Sequence, residues 1–170
     1  IIADYDVDGS TSSSLMIKFL RHLNINTYLE VPDRINEGYG PNERIIKLFL
    51  DKNVDLIISL DCGTTSFKVF NELTNKKIDT IVIDHHVSDI TLPKVFALIN
   101  PNRFDENNNL KNLATVGITF LFLIALRRKL RNEKYYLDNK INENNLTELL
   151  DLVSLGSICD VVKLDNLNRS

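Results

Sequence analysis

Ile1-Ile2-Ala3-Asp4-Tyr5-Asp6-Val7-Asp8-Gly9 opens the chain, an apolar stub running straight into three alternate carboxylates and a glycine. The same pattern recurs twice. Asp55-Leu56-Ile57-Ile58-Ser59-Leu60 ends in Asp61-Cys62-Gly63, and Thr80-Ile81-Val82-Ile83 ends in Asp84-His85-His86. Short, continuous apolar runs bounded by polar turns are the mark of strands buried on both faces. A parallel sheet gathers the carboxyl ends of such strands on one edge, which is where open α/β sheets hold their ligands. Acidic or imidazole groups at the end of each core strand therefore point to one site, whatever their separation in sequence.

The segments around these runs support that arrangement. A helix is expected over Ser12–Leu23, with Leu15, Phe19, Leu20 and Leu23 on its apolar face. Thr27–Val31 reads as a short strand, and Pro41 with Asn42 opens a helix reaching to Lys52. Asp55–Leu60 is expected as a strand burying Leu56, Ile57, Ile58 and Leu60. Ser66–Lys76 reads as a helix, Thr80–Ile83 as a buried strand and Val95–Ile99 as one more. The fold class is thus α/β, with a mainly parallel sheet, helices on both faces and a metal site at the strands' carboxyl ends. Beyond it lie a polar loop (Asp105–Asn109), an apolar helix (Thr115–Leu130), an Asn-rich connection (Asn132–Asn145) and a closing helix (Leu146–Cys159).

At 170 residues the chain suits one domain, and 44% hydrophobic with 25% charged residues is ordinary for a globular one. The longest apolar run, Ile118–Leu126, is broken by Thr119 and stops at Arg127, too short to cross a bilayer, so no membrane partner is expected. Cys62 and Cys159 form no C-x-x-C pair, which argues against a zinc ribbon or disulfide scaffold and for a reducing, cytoplasmic setting. The net charge of −3 offers no general attraction for nucleic acid, so a polyanionic substrate would need bound cations and local basic groups. The chain begins inside an apolar run without an initiator Met and is expected to be a piece, residues 1–170, of a longer protein.

Alternate carboxylates on an extended chain lie roughly 6.5 Å apart on one side, too far for a single ion to take all three. Two ions about 3.5–4 Å apart can share them if the chain curls at Gly9, with Asp61 as a bridging carboxylate. Oxygen-rich ligation with one or two imidazoles suits Mn²⁺ or Mg²⁺ better than Zn²⁺ or copper. An EF-hand loop starting at Asp4 fails, because its twelfth position is Leu15 and a strand precedes it. Asp61 could instead cap the next helix through Gly63–Ser66. Asp84 reads as a group orienting a histidine ring through its second nitrogen, or as a local backbone cap.

These motifs, with Gly156-Ser157-Ile158-Cys159-Asp160, resemble in order the four motifs of the DHH phosphoesterase superfamily. Val31-Pro32-Asp33-Arg34, Glu37-Gly38-Tyr39-Gly40, Asn100-Pro101-Asn102-Arg103 and Asp160-Val161-Val162 resemble its RecJ branch, single-strand-specific exonucleases. The resemblance implies a Mn²⁺- or Mg²⁺-dependent 5′-to-3′ exonuclease acting on single-stranded DNA in repair and recombination, by a hydroxide held between two ions. It implies Asp6 and Asp8 as metal ligands, Asp61 as the carboxylate shared by both ions, and His85 and Asp160 as further ligands of one. Asp4 stands at the acidic position typical of the branch and completes the other shell. His86 corresponds to a histidine facing the substrate phosphate. One departure is Ala114-Thr115-Val116-Gly117, where such chains carry a glycine-rich turn; Thr115 is expected to narrow it.

Other groups carry two readings. Arg34 could grip a terminal phosphate or pair with Asp33 or Glu37. Ser10, Thr11 and Ser12 suit N-capping better than anion binding. Arg127, Arg128, Lys129 and Arg131 suit the end of an apolar helix better than DNA contact. His22 reads as a surface residue, and Cys62 and Cys159 as packing beside the site rather than ligands. Two rival functions share the motifs: a DHH phosphodiesterase for short oligonucleotides or cyclic dinucleotides, and a metal-free, non-catalytic DHH scaffold.

Overall fold

The computed structural model describes residues 1–169. Four parallel strands, β1 (Ile2–Ala3), β2 (Leu56–Leu60), β3 (Asp79–Ile83) and β4 (Ala97–Ile99), pair in that spatial order. The expected strand over Thr27–Val31 contracts to one parallel bridge between Glu30 and Ile2, on the edge of β1 away from β2. Ala3 N–H donates to Glu30 O at 3.2 Å and Glu30 N–H to Ile1 O at 3.0 Å. With Glu30 as a rudimentary strand, the chain steps one way from β1 and then returns past it to β2. That reversal is the switch point where doubly wound sheets leave a crevice at their carboxyl ends.

Side chains alternate between two cores, as strand geometry demands. Ile1, Ala3, Ile58, Leu60 and Ile83 face a layer built from α1 (Val7–His22), α4 (Thr115–Asn132) and α6 (Leu150–Cys159). Ile2, Ile57 and Val82 face α2 (Glu43–Asp51) and α3 (Phe67–Asn75). Leu56, expected inside, is 43% exposed, because it sits at the entry of β2 before the helices cover the sheet. The Asn-rich connection holds a short α5 (Tyr135–Asp138), and the closing helix begins as a 3₁₀ turn (Leu146–Leu149) before α6; α7 (Asn166–Arg169) follows. No helix among the described residues is long and apolar enough to cross a membrane.

The largest local correction concerns α1, which starts at Val7, five residues before the expected Ser12. Val, Asp, Gly, Ser and Thr are weak helix formers, so propensity alone hid this first stretch. Asp6 overrides it by capping: its Oδ1 accepts Gly9 N–H at 2.9 Å. Asp4, Asp6 and Asp8 therefore do not line one side of an extended strand. They occupy a strand end, a helix cap and a first helical turn.

Phe19 is fully buried between α1 and the sheet. Phe19→Ala is expected to lower unfolding free energy by about 3–5 kcal/mol, and Leu56→Ala by about 0.5 kcal/mol or less. Urea titration of the two variants checks the contrast; equal losses would contradict the burial assigned to β2.

Candidate metal centre

Hydrogen bonding runs one residue past each strand. Asp4 N–H donates to Leu60 O (3.2 Å), Asp61 N–H to Ile83 O (3.0 Å) and Asp84 N–H to Ile99 O (3.1 Å). Asp4, Asp61, Asp84 and Asn100 thus stand side by side at the carboxyl edge, all buried. Asp6 and Asp8 enter from the start of α1, His85 and His86 from the turn after β3, and Asp160 from the end of α6. Helix α6 reaches the edge because it packs along α1 and α4, with Gly156 closely against Thr11 and Val116.

Three overlapping groups of ligand atoms result, each drawn within 4.8 Å: Asp4, Asp6 and Asp61; Asp8, His85 and Asp160; Asp61, His85 and His86. Asp61 and His85 each belong to two of them. His85 Nε2 lies 3.5 Å from Asp61 Oδ1 and 4.0 Å from Asp8 Oδ2, while its Nδ1 lies 3.7 Å from Asp160 Oδ2. Asp4 Oδ1 and Asp61 Oδ2 are buried without a hydrogen-bond partner. Buried oxygens are ordinarily paired, so these two, beside imidazoles, make a donor set fitted to hard divalent cations such as Mn²⁺ or Mg²⁺.

Asp84 is committed to orientation. Its Oδ1 accepts His85 N–H (2.8 Å) and His86 N–H (3.2 Å) and meets His86 Nδ1 at 2.8 Å; its Oδ2 accepts Thr64 N–H (3.0 Å). Asn100 Nδ2 donates to His86 O and to Thr64 Oγ1, and Asn102 Nδ2 donates to His85 O, fixing the same turn from behind. His86 is left with Nε2 directed away from Asp84.

Several contributors had no clear signal in the sequence. Thr115 N–H donates to Asp8 Oδ2 at 2.6 Å and Val116 N–H to Asp8 Oδ1 at 2.8 Å, so Asp8 caps α4 from more than a hundred residues away. Thr115 Oγ1 donates to Asp61 Oδ1 at 2.9 Å. Thr115 is fully buried, with its hydroxyl turned onto Asp61. Asp61 consequently caps no helix, and Ser66 at the start of α3 makes no side-chain cap either. Tyr39 O–H donates to Asp61 O at 2.9 Å and lies 3.1 Å from His86 Nδ1. A Tyr inside an acidic, Gly-flanked loop was the one available hint.

Arg34 pairs with neither Asp33 nor Glu37; its guanidinium stacks 5.0 Å above the Tyr5 ring, next to Asp4 and Asp6 in the chain. Glu37 and Glu30 are held by Arg44, and Asp33 accepts Ile35 and Asn36 N–H groups. Ser10–Ser12 do not cap α1, since Asp6 does; Thr11 Oγ1 donates back to Val7 O and Ser12 Oγ to Asp8 Oδ1. Among the basic cluster, Lys129 and Arg131 lie in the last turn of α4; Arg127 and Arg131 pair with Glu143 and Lys129 with Glu133. His22 is exposed against Asn142 O; Cys62 is buried in the second core, while Cys159 is exposed.

The electrostatics follow from crowding acids in a dry edge. Burial, then the Asp8 and Asp6 charges, pushes the Asp61 carboxyl up to about 11. Burial likewise raises Asp4, Asp8 and Asp160, although the Val116 and Thr115 amides oppose the rise at Asp8. Burial also acts to raise Asp84, but bonds from His86 and Thr64 outweigh it and hold that carboxyl below the usual range. The same Asp84 contact raises His86. A cluster that is unfavourable when ionised and unaccompanied becomes favourable once cations share it.

A family model described as DHH family, N-terminal domain, matches residues 1–157. The single-stranded-DNA-specific exonuclease RecJ of Escherichia coli (strain K12) is 39% identical over 171 residues, covering 99% of this chain and 30% of that protein. RecJ of Bacillus subtilis (strain 168) is 34% identical over 169 residues, covering 99% and 20%. A crystal structure of exonuclease RecJ bound to manganese superposes with a TM-score of 0.82 at 29% identity, covering 99% of this chain and 40% of that one. The crystal structure of RecJ in complex with Mn²⁺ from Thermus thermophilus gives 0.74 at 27%, covering 99% and 22%. The chain therefore spans 30% or less of the length of these curated relatives. Its matched motifs, its parallel sheet and the acids aligned along one edge agree: this chain belongs to the DHH family.

Proposed function

We propose that residues 1–170 are the metal-binding domain of a longer, RecJ-like phosphoesterase, a 5′-to-3′ exonuclease on single-stranded DNA that serves repair and recombination. The observation carrying this is the sharing of Asp61 and His85 between neighbouring ligand groups, with unpartnered buried oxygens on Asp4 and Asp61. RecJ relatives with bound manganese support the choice of cation. Asp4 and Asp6 would hold one ion and Asp8, His85 and Asp160 the other, with Asp61 between them. Two such ions supply a water of lowered pKa and positive charge for the phosphodiester.

The remaining work belongs to side chains. Asp84 fixes the His86 ring through Nδ1, so that Nε2 is presented outward and, in the protonated form favoured by Asp84, donates to a phosphate oxygen. Tyr39 limits rotation of that ring at the same nitrogen and packs edge-on against it. Arg34, held on Tyr5 beside the acids, would bind a terminal phosphate.

The test is digestion by the complete protein, with Mn²⁺ or Mg²⁺, of long 5′- or 3′-labelled single strands against dinucleotides. Stepwise loss from the 5′ end of the long strands is expected. Cleavage of dinucleotides alone would replace this function with the short-oligonucleotide phosphodiesterase, and absence of Mn²⁺ binding would favour a non-catalytic scaffold.

A linked prediction concerns pH. Asp61, Asp4, Asp8 and Asp160 have folded pKa values above their ordinary one, so the folded chain binds more protons than the unfolded chain from about pH 4 upward. Stability present at low pH is lost as pH rises toward 11, the Asp61 value, and the raised His86 acts in the same direction. Without metal, the melting temperature should fall between about pH 6 and about pH 8. With saturating Mn²⁺ the fall should shrink or reverse, and binding should release on the order of one proton or more. A metal-free melting temperature that rises over this range would contradict the acid cluster.

A further inference from the structure

We propose that Thr115 is a positioning residue for the metal centre: its hydroxyl fixes the Asp61 carboxylate in ligating orientation, so that losing this hydroxyl alone weakens divalent-cation binding. The inference rests on the metal-site reading above and extends it to a residue outside every acidic motif.

Asp61 has its backbone at φ +62, in the left-handed region that is uncommon for residues with a side chain but open to Asp. Its carboxylate has one hydrogen-bonded oxygen and one free one. Oδ1 accepts the Thr115 hydroxyl at 2.9 Å, whereas Oδ2 is buried and unpartnered. Removing the hydroxyl would leave Oδ1 with only the longer approach of His85 Nε2 at 3.5 Å and loosen the carboxylate about its χ2 angle. The shared position between the two ligand groups depends on that angle.

Thr115 is suited to this by its place on α4. It is the first residue of the helix, so no preceding turn offers a carbonyl to capture its hydroxyl, the usual fate of a mid-helix Thr. Branching at Cβ restricts χ1, and complete burial removes the competition of water. The N-cap Ala114 has no capping side chain, and the first free amides of α4 are taken by Asp8 instead. One helical turn therefore grips two acids from two different elements. Asp8 is held through both oxygens by amides and Asp61 through one oxygen by a hydroxyl, which fixes their spacing before any cation arrives.

The backbone half of this grip is insensitive to substitution, and the hydroxyl half is not. Mn²⁺ binding is read from the electron paramagnetic resonance signal of the free ion in titrations of the complete protein, with circular dichroism verifying the fold of each metal-free variant. Thr115→Val, which keeps the shape and removes the donor, should weaken Mn²⁺ binding by about 10- to 100-fold, the usual cost of losing a partner of a ligand. Thr115→Ser, which keeps the donor, should bind like the parent. If Thr115→Val does not fold, the pair Thr115→Ser and Thr115→Ala makes the same comparison at smaller volume. Val or Ala variants binding as tightly as the parent would overturn the proposal. So would a Ser variant that falls as far as the Val variant, since that makes packing the cause. A parent protein that holds no Mn²⁺ would remove the metal-site reading itself, and this inference with it.

Discussion

Asp61→Asn is expected to reduce phosphodiester cleavage by about 10³-fold or more and, in metal-free protein, to raise the melting temperature at neutral pH. The two effects have one cause. Asp61 sits 1% exposed between both acid groups, with the Asp8 and Asp6 charges acting on it. Asparagine has nearly the same shape, keeps an oxygen to accept the Thr115 hydroxyl, and is neutral without binding a proton. The Asp61 carboxyl, pushed up to about 11, must stay protonated in the metal-free fold at neutral pH, a cost the variant does not carry. Cations, by contrast, lose the one carboxylate that belongs to two of the ligand groups, which removes several kcal/mol of charge stabilisation at a tenfold rate cost per 1.36 kcal/mol. Melting curves without metal and digestion of single-stranded DNA with Mn²⁺, both on the complete protein, separate the outcomes. Activity within tenfold of the parent would end the shared-carboxylate reading. Lost activity together with a lowered metal-free melting temperature would make Asp61 a structural residue instead.

The sheet and the acids at its edge were legible because they obey local rules. Ile57-Ile58-Ser59-Leu60 before Asp61 and Ile81-Val82-Ile83 before Asp84 announce buried parallel strands, and register does the rest. Once Leu60 lies beside Ile83, Asp61 must lie beside Asp84. What stayed hidden was tertiary. Nothing near Thr115 or Val116 signals that their amides meet Asp8, since that contact is made by packing α4 across α1. The early start of α1 was hidden for a related reason: a run of Ser, Thr, Gly and Asp opposes helix, and only the Asp6 cap and the contacts of the folded helix overcome it. Arg44 carries no signal in the sequence, because a charged residue on the exposed face of a helix is ordinary. Yet Arg44 holds Glu30 and Glu37, which ties the loop carrying Tyr39 to the rudimentary strand beside β1.

That dependence of chemistry on close packing is sharpest at Gly9, and Gly9→Ala is expected to lose cleavage by about 10²-fold or more. A Cβ on this residue would stand 2.3 Å from Asp4 O and 2.8 Å from Asp4 C, both backbone atoms that cannot swing aside. Helix α1 would have to back away from the end of β1. Its retreat would pull on the Gly9 N–H to Asp6 cap and on the bonds from Asp8 to Thr115 and Val116, so acids on both sides of Asp61 would shift together. Overpacking of this kind costs about 1–3 kcal/mol of stability, less than expected for Phe19→Ala. Phe19 lies about 15 Å farther along the same helix, at 1.5 Å per residue, and packs in the apolar core. Assayed well below both melting temperatures, the Phe19→Ala protein should keep most of its activity while the more stable Gly9→Ala protein loses it. If instead activity follows stability in the two variants, the close approach of α1 to β1 serves the fold alone and does not set the spacing of Asp4, Asp6 and Asp8.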